Sequence, residues 1–237
     1  MTVGMISAIP EEYSKIKWDD TPKTETVMNK EFQVGKINGT SIVAGECGIG
    51  KVNAAITSTV LLTHYNCDSI IFSGVAGGLN PRHKIGDIII GSKLIQHDYG
   101  SIVDQQVYSS LPGCFPSLED NDDPISYEMS SEMEAFLQSH VGSVATFGTI
   151  ITGDTYLSCS ETRKMFHQQF DADAIEMEGG AIAQVCCQTN KPFVIVRVLS
   201  DLAGDHSHID FDKFIDDSAA SAARVVSHLI PILDAWE

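Results

Sequence analysis

The chain has 237 residues, 43% hydrophobic and 20% charged, an ordinary globular composition with enough apolar material for a substantial core. Its formal charge of −17 argues strongly against a nucleic-acid backbone or an anionic membrane as partner, because both carry negative charge. No apolar run is long enough to span a bilayer, and the chain opens on an apolar strand with no basic leader, so a cytoplasmic protein is expected.

In chain order, Val3–Ala8, Ser41–Glu46, Ser69–Ser73, Asp87–Gln96, Val144–Thr152, Ala174–Met177 and Phe193–Ser200 read as strands rich in Ile and Val. Between them Lys51–Tyr65, Ser126–Val141, Ser160–Phe170 and Glu178–Thr189 carry helical spacing, and a last helix runs from about Phe211 to the C-terminus. Continuous β-branched runs such as Phe193-Val194-Ile195-Val196 fit strands covered on both faces. The expected fold is one α/β domain over residues 1–237, its central mixed, mostly parallel sheet flanked by helices.

Ligands of such sheets bind beyond the carboxyl ends of the strands. Glu11-Glu12, Glu176-Met177-Glu178 and Ser200-Asp201 fall at strand ends, and Gly74-Val75-Ala76-Gly77-Gly78 follows a strand. Any one of these reads equally well as a solvated acid or a plain turn. Their coincidence is what points to a site.

Other patterns carry less. Gly45-Glu46-Cys47-Gly48-Ile49-Gly50-Lys51-Val52 comes within one residue of a phosphate-binding P-loop, but Val52 has no oxygen for magnesium, so a tight Gly-rich turn is expected. Asp205-His206-Ser207-His208-Ile209-Asp210 pairs two histidines without the further ligands a metal site needs. A surface loop is expected there, with no metal and no cofactor. Ser73-Gly74 lacks the pattern of a nucleophile elbow. The acidic run Leu118–Asp123 reads as a solvated loop, and the six cysteines, without CxxC spacing, as reduced core thiols.

The ordered set Gly4–Glu12, Gly48–Val52, Gly74–Leu79, Gly86-Asp87-Ile88, Leu111-Pro112-Gly113, Thr152-Gly153-Asp154, Glu176-Met177-Glu178 and Val198–Asp201 spans nearly the whole chain. It resembles the 5′-methylthioadenosine/S-adenosylhomocysteine nucleosidases of the nucleoside phosphorylase superfamily. That resemblance implies hydrolysis of an adenine nucleoside to adenine and a 5-thio-substituted ribose, by a homodimer without metal or organic cofactor. It implies that Glu12 activates water, that Asp201 protonates adenine N7 with Ser200 positioning it, and that Glu178 accepts the ribose hydroxyls with Met177 against the sugar. Tyr156 and Leu157 would lie against the base, with Phe211 on the pocket wall. Ala76 and Gly77 would give backbone contacts, and Ile49 would reach the 5′ side. The segment around Pro112 would enter the partner's 5′ pocket.

The chemistry accounts for these residue types. Cleaving an N-glycosidic bond builds positive charge on the ribose and negative charge on the leaving base, so one carboxyl must donate a proton while another deprotonates water. The two therefore need different environments. A third carboxylate on the ribose hydroxyls binds more strongly as the sugar becomes cationic.

Phosphorylases of the superfamily carry phosphate-holding arginines where this chain has Pro10-Glu11-Glu12 and Ile71-Phe72-Ser73, and carboxylates repel phosphate. Arg197, in mid-strand, is expected to pair with a neighbouring acid. A purine nucleoside phosphorylase and a nucleoside-binding module without activity stand as alternatives, although a mere binder has no need of a water-activating acid. The sequence departs from the family between His97-Asp98 and Pro112, where Asp104 replaces an expected aromatic, and Val75 and Tyr156 stand for Ser and Phe. The 5′ group is thereby open to other adenine nucleosides, aminodeoxyfutalosine among them, while a carboxylate at Asp104 favours an ammonium-bearing or neutral substituent.

Overall fold

The apolar runs form strands whose alternate side chains feed two large cores, with a smaller third one around Ile95, Ile151 and Phe170. A computed structural model describes residues 1–104, 106–115 and 125–236. In chain order the elements are β1 (Thr2–Ser7), the one-turn α1 (Pro10–Tyr13), β2 (Lys23–Val27), β3 (Lys30–Ile37), β4 (Thr40–Glu46) and α2 (Lys51–Thr63). Next come β5 (Ser69–Gly78), β6 (Ile88–Gln96), β7 (Gly100–Val103), β8 (Gln106–Ser109), β9 (Ser126–Glu128) and α3 (Ser131–Val141). The last are β10 (Thr146–Thr152), α4 (Ser160–Phe170), β11 (Ala174–Glu176), α5 (Gly179–Gln188), β12 (Phe193–Asp201) and α6 (Ser207–Asp234).

One sheet runs β11-β10-β6-β12-β5-β1-β4-β3-β2, with β9 beside β6. Parallel pairs make its centre: β1 with β4 and β5, β12 with β5, and β10 with β6 and β11. Antiparallel pairs come from the β2-β3-β4 meander, from β12 and β9 against β6, and from β11 against β5. The last pairing closes β5, β12, β6, β10 and β11 into a ring. The fold is thus a mixed α/β sheet flanked by helices.

Strand parity decides which core each residue joins. Ile6, Ile70, Phe72, Phe193 and Ile195 pack with Leu61 of α2 and Ile182 of α5. Their neighbours Met5, Ile71, Val194 and Val196 pack with Leu137 of α3 and Leu229 of α6. Burying each such side chain is worth about 1.5–3 kcal/mol, which explains why runs apolar at every position are stable only with helices on both faces.

Several segments differ from the sequence reading. Gly74–Gly78 continues β5 rather than following it, and a register shift between Leu199 and Asp201 of β12 lies opposite it. Residues 23–37 hold two strands whose side chains are mostly exposed or half-exposed, so they lack a clear apolar period. Their turns were the available signal: Met28-Asn29 and Asn38-Gly39 take the left-handed backbone of two-residue hairpins, with φ of 52° and 59°, and 49° and 82°. Ser126–Val141 divides into β9 and α3 at Ser130, whose Oγ accepts the Met133 N–H at 3.2 Å as a helix cap. α6 starts at Ser207, so the two-histidine segment is a helix entry rather than a surface loop, with His206 and His208 exposed. All six cysteines are free, but only Cys47, Cys67 and Cys186 are core thiols; Cys114 and Cys187 are exposed and Cys159 is half-exposed. The acidic run 118–123 lies outside the described residues. No described helix is long and apolar enough to cross a membrane.

Candidate active site

The carboxyl ends of β1, β5, β11 and β12, with the turn after β4, surround a cavity of about 260 Å³. Glu12, Ile49, Ala76, Gly77, Tyr156, Met177, Glu178, Ser200, Asp201 and Phe211 all line it. Leu157 borders a small adjoining recess shared with Tyr156, Met177 and Asp201. Pro112 and Asp104 are not among the residues lining the cavity. Pro112 is half-buried, its carbonyl accepting the Tyr127 hydroxyl at 3.4 Å, and Asp104 is exposed at the turn after β7 with a φ of 48°.

Glu12 reaches the cavity because β1 runs straight into α1, with Pro10 opening the helix where a missing N–H costs nothing. Its carboxylate folds back on the chain. Oε2 accepts the N–H groups of Ala8 at 2.8 Å and Ile9 at 3.4 Å, and Oε1 accepts that of Val75 at 2.9 Å. Burial pushes its pKa up, while Arg197 and these three N–H groups favour the charged form. The close approach depends on Gly74: a Cβ there would overlap Nη1 of Arg197 and stand 2.9 Å from Oε1 of Glu12.

Arg197 is fully buried, and it shares strand parity with Phe193 and Ile195, which turns it toward the α2/α5 side. Its guanidinium lies 3.8 Å from the ring centroid of Phe72. Nη2 donates to Glu176 Oε2 and, at 3.1 Å, to Glu178 Oε2. Burial opposes its charge, but Glu176, Glu178 and Glu12 outweigh that and raise its pKa. Glu176 also accepts the Thr152 hydroxyl and the N–H groups of Glu178 at 3.0 Å and Gly179 at 2.7 Å, so it caps the start of α5. Glu178 keeps Oε1 for the Gly50 N–H at 2.8 Å, and burial pushes its pKa up to about 7 against the pull of Arg197. The P-loop-like turn therefore directs its N–H groups at the protein's own carboxylates.

Sequence reasoning expected an acid partner for Arg197 and noted Glu176 at a strand end without giving it a role, and it left Val75 and Thr152 out of the site. A lone arginine within the apolar run Val194–Leu199 was the signal, since a charge that deep requires partners. Val75 and Thr152 contribute a backbone N–H and a buried hydroxyl, which no side-chain pattern announces.

Asp201 sits at the opposite pole of the charge balance. It ends β12 2% exposed, with Oδ1 accepting the Ala203 N–H at 2.7 Å and Oδ2 the Ser200 hydroxyl at 3.1 Å. It makes no ion pair among the described residues, and burial raises its pKa. Tyr156 and Phe211 meet edge-on beside it, ring centroids 6.3 Å apart. Among the described residues no three His, Cys, Asp or Glu side chains are arranged to hold a metal ion.

Residues 2–231 match the family model of the phosphorylase superfamily. A 5′-methylthioadenosine/S-adenosylhomocysteine nucleosidase of Mycobacterium bovis is 37% identical over 252 aligned residues, covering 99% of each chain. The chain belongs to this nucleosidase family. The nucleosidase of Bacillus subtilis is 35% identical, over 97% of this chain and 98% of that one. Among solved structures, the S. pneumoniae nucleosidase with the transition-state inhibitor MT-ImmA has a TM-score of 0.87 and 28% identity, covering 99% of this chain and 100% of that one. A futalosine hydrolase of Helicobacter pylori has a TM-score of 0.85 and 26% identity, covering 100% and 98%. Enzymes named for different nucleosides thus share the nucleosidase fold, and the substrate must be argued from the site.

Proposed function

We propose that this chain hydrolyses the N-glycosidic bond of 5′-methylthioadenosine and S-adenosylhomocysteine, releasing adenine and a 5-thio-substituted ribose. The observation that carries the reading is a single cavity lined by Glu12, Glu178 and Asp201, each buried and each held differently. Nucleosidase relatives 34–37% identical over nearly the whole chain support this substrate class.

Glu12 is the base: burial raises its pKa, but Arg197 and three backbone N–H groups oppose that rise, a support for the ionised form that Asp201 has from no ion pair among the described residues. It takes a proton from water as the oxygen attacks C1′ and the C1′–N9 bond breaks. Asp201, with no cation bonded to it among the described residues, holds its proton to higher pH than a free carboxyl and passes it to N7 of the departing adenine. Ser200 orients that carboxyl through its hydroxyl. Glu178 accepts the ribose hydroxyls, Met177 packs on the sugar, and Tyr156, Leu157 and Phe211 enclose the base, with Ala76 and Gly77 as backbone contacts. Ile49 covers the 5′ side.

Water is the nucleophile because Glu12 already occupies the N–H groups of Ala8, Ile9 and Val75, the donors an anion would need, and its charge repels phosphate. The reading includes a cytoplasmic homodimer, in which the segment carrying Asp104 and Pro112 meets the partner's 5′ pocket. The test is adenine release from methylthioadenosine, adenosylhomocysteine and aminodeoxyfutalosine, with and without phosphate. The two thio-nucleosides are expected to turn over equally well without phosphate, giving a free sugar. A sugar 1-phosphate would make the chain a phosphorylase, and preference for aminodeoxyfutalosine would replace the substrate.

A further inference from the structure

One of the hydrogen bonds on Glu178 comes from a Gly-rich turn whose start is fixed by buried Cys47, its carbonyl accepting Lys30 Nζ at 2.6 Å, and whose Ile49 carbonyl accepts Asn53 Nδ2 at 2.8 Å from its own helix. Gly48 and Gly50 have φ of 82° and 100°, a backbone conformation that glycine alone adopts at no cost. Beyond Cys47 apolar packing adds little, for Ile49 is 55% exposed and Val52 70%. Yet the Gly50 N–H stands 2.8 Å from Oε1 of Glu178.

The next residue ties the Gly50 end of the turn to the sheet. The Lys51 N–H donates to Oδ1 of Asp154 at 2.8 Å, and Lys51 Nζ donates to Oδ1 of Asp98 at 2.5 Å and lies 4.0 Å from Oδ2 of Asp154. The Asp154 N–H closes the set on Oδ2 of Asp98 at 2.9 Å. Asp98 follows β6 and Asp154 follows β10, which pair in parallel within the closed ring. The set thus ties the start of α2 to two strand ends of the closed ring. The Lys51 and Asp98 side chains are only 17% and 28% exposed, which shields their charges from salt better than a surface pair. None of the three residues lines the cavity.

We propose that Lys51, Asp98 and Asp154 are positioning residues for the sugar-binding carboxylate, holding the Gly50 N–H on Glu178 and Ile49 over the 5′ side of the cavity. This rests on the reading of Glu178 as acceptor of the ribose hydroxyls. The charged or titratable groups facing Glu178 are Arg197 from β12, Glu176 from β11, Glu12 from α1 and Cys47 from the turn. Burial, Glu176 and Glu12 favour the neutral acid; Arg197 and the Gly50 N–H favour the carboxylate. Loosening the turn removes the second of these supports and leaves less carboxylate at neutral pH to accept hydroxyls.

The experiment compares Asp154→Ala, which removes the acceptor of the Lys51 N–H, with Asp154→Asn, which keeps an acceptor oxygen. With methylthioadenosine as substrate, Asp154→Ala should raise KM about tenfold, the scale of a lost hydrogen bond in a charged network, while kcat changes much less. The acid limb of kcat/KM should also move to higher pH, and Asp154→Asn should restore both. An unchanged KM in Asp154→Ala, an equal rise in the two variants, or a fall in kcat alone overturns the positioning role. Binding separates this from the proposed function: the preference for adenosine over 2′,3′-dideoxyadenosine should shrink in Asp154→Ala and return in Asp154→Asn. An unshrunken preference refutes the clamp, whereas failure of the unmodified protein to release adenine refutes the hydrolase reading alone.

Discussion

Replacing Arg197 by methionine tests the charge balance on which the site depends. Met keeps much of the side-chain length and apolar contact but removes the cation bonded to Glu176 and Glu178 and facing Glu12. Taking one partner from a buried ion pair costs about 3–5 kcal/mol, because the remaining charge stays buried without compensation. A domain of this kind has about 5–15 kcal/mol in all, so the variant should fold with little margin. The loss should depend on pH in a definite direction. Burial already lifts Glu12 and Glu178 above the ordinary 4.5, Glu178 to about 7, and Arg197 pulls both down. Without it both rise further. A carboxyl whose folded pKa lies above its unfolded value contributes stability that is fully present below the unfolded value and lost as pH rises through the folded one. The variant is therefore penalised least in acid, below the folded pKa of Glu178, and most above it, where the charges must be kept. Urea unfolding followed by the fluorescence of Trp18 and Trp236 reads this directly, with the m-value as a check on two-state behaviour. The expected loss approaches about 3–5 kcal/mol at alkaline pH and falls to about half that or less at acid pH. An equal loss at both, or a larger one in acid, would show that packing on Phe72 and not charge sets the cost.

Glu12→Gln keeps the shape and loses the basicity, so turnover should fall about 10²–10⁴-fold while affinity for an adenosine analogue stays close to normal; near-normal turnover would remove Glu12 from the mechanism. Asp201→Asn should impair release of adenine far more than release of nitrophenol from a ribosyl analogue, since a good leaving group needs no proton. Equal losses on the two substrates would make Asp201 positional.

Much of the architecture was readable before any coordinates. Strand runs apolar at every position demanded helices on both faces, and the two cores divide by parity as such runs require. The ordered motifs of the family were visible, as was the placing of Glu12, Glu178 and Asp201 near strand ends. The β2-β3-β4 meander was harder to read, because half-exposed strands bury too little on either face to leave a period, although Asn38-Gly39 signalled one of its turns.

What tertiary structure alone decided is where residues distant in the chain meet. Glu12 takes the Val75 N–H from 63 residues away, and Glu178 takes the Gly50 N–H from 128. A backbone donor has no sequence signature, so such bonds follow only once β1, β4, β5 and β11 converge. Arg197 showed itself as a charge out of place in an apolar strand, but its choice of Glu176 and Glu178 followed from β12 lying beside β5 and from the ring closed by β11. Asp104 stands exposed at the turn after β7 and does not line the cavity of its own chain, so its distance from a 5′ group would be set by assembly and not by its spacing to Pro112. Composition and periodicity act through neighbours and so determine elements and faces; the balance of buried charge acts through space and waits on the fold.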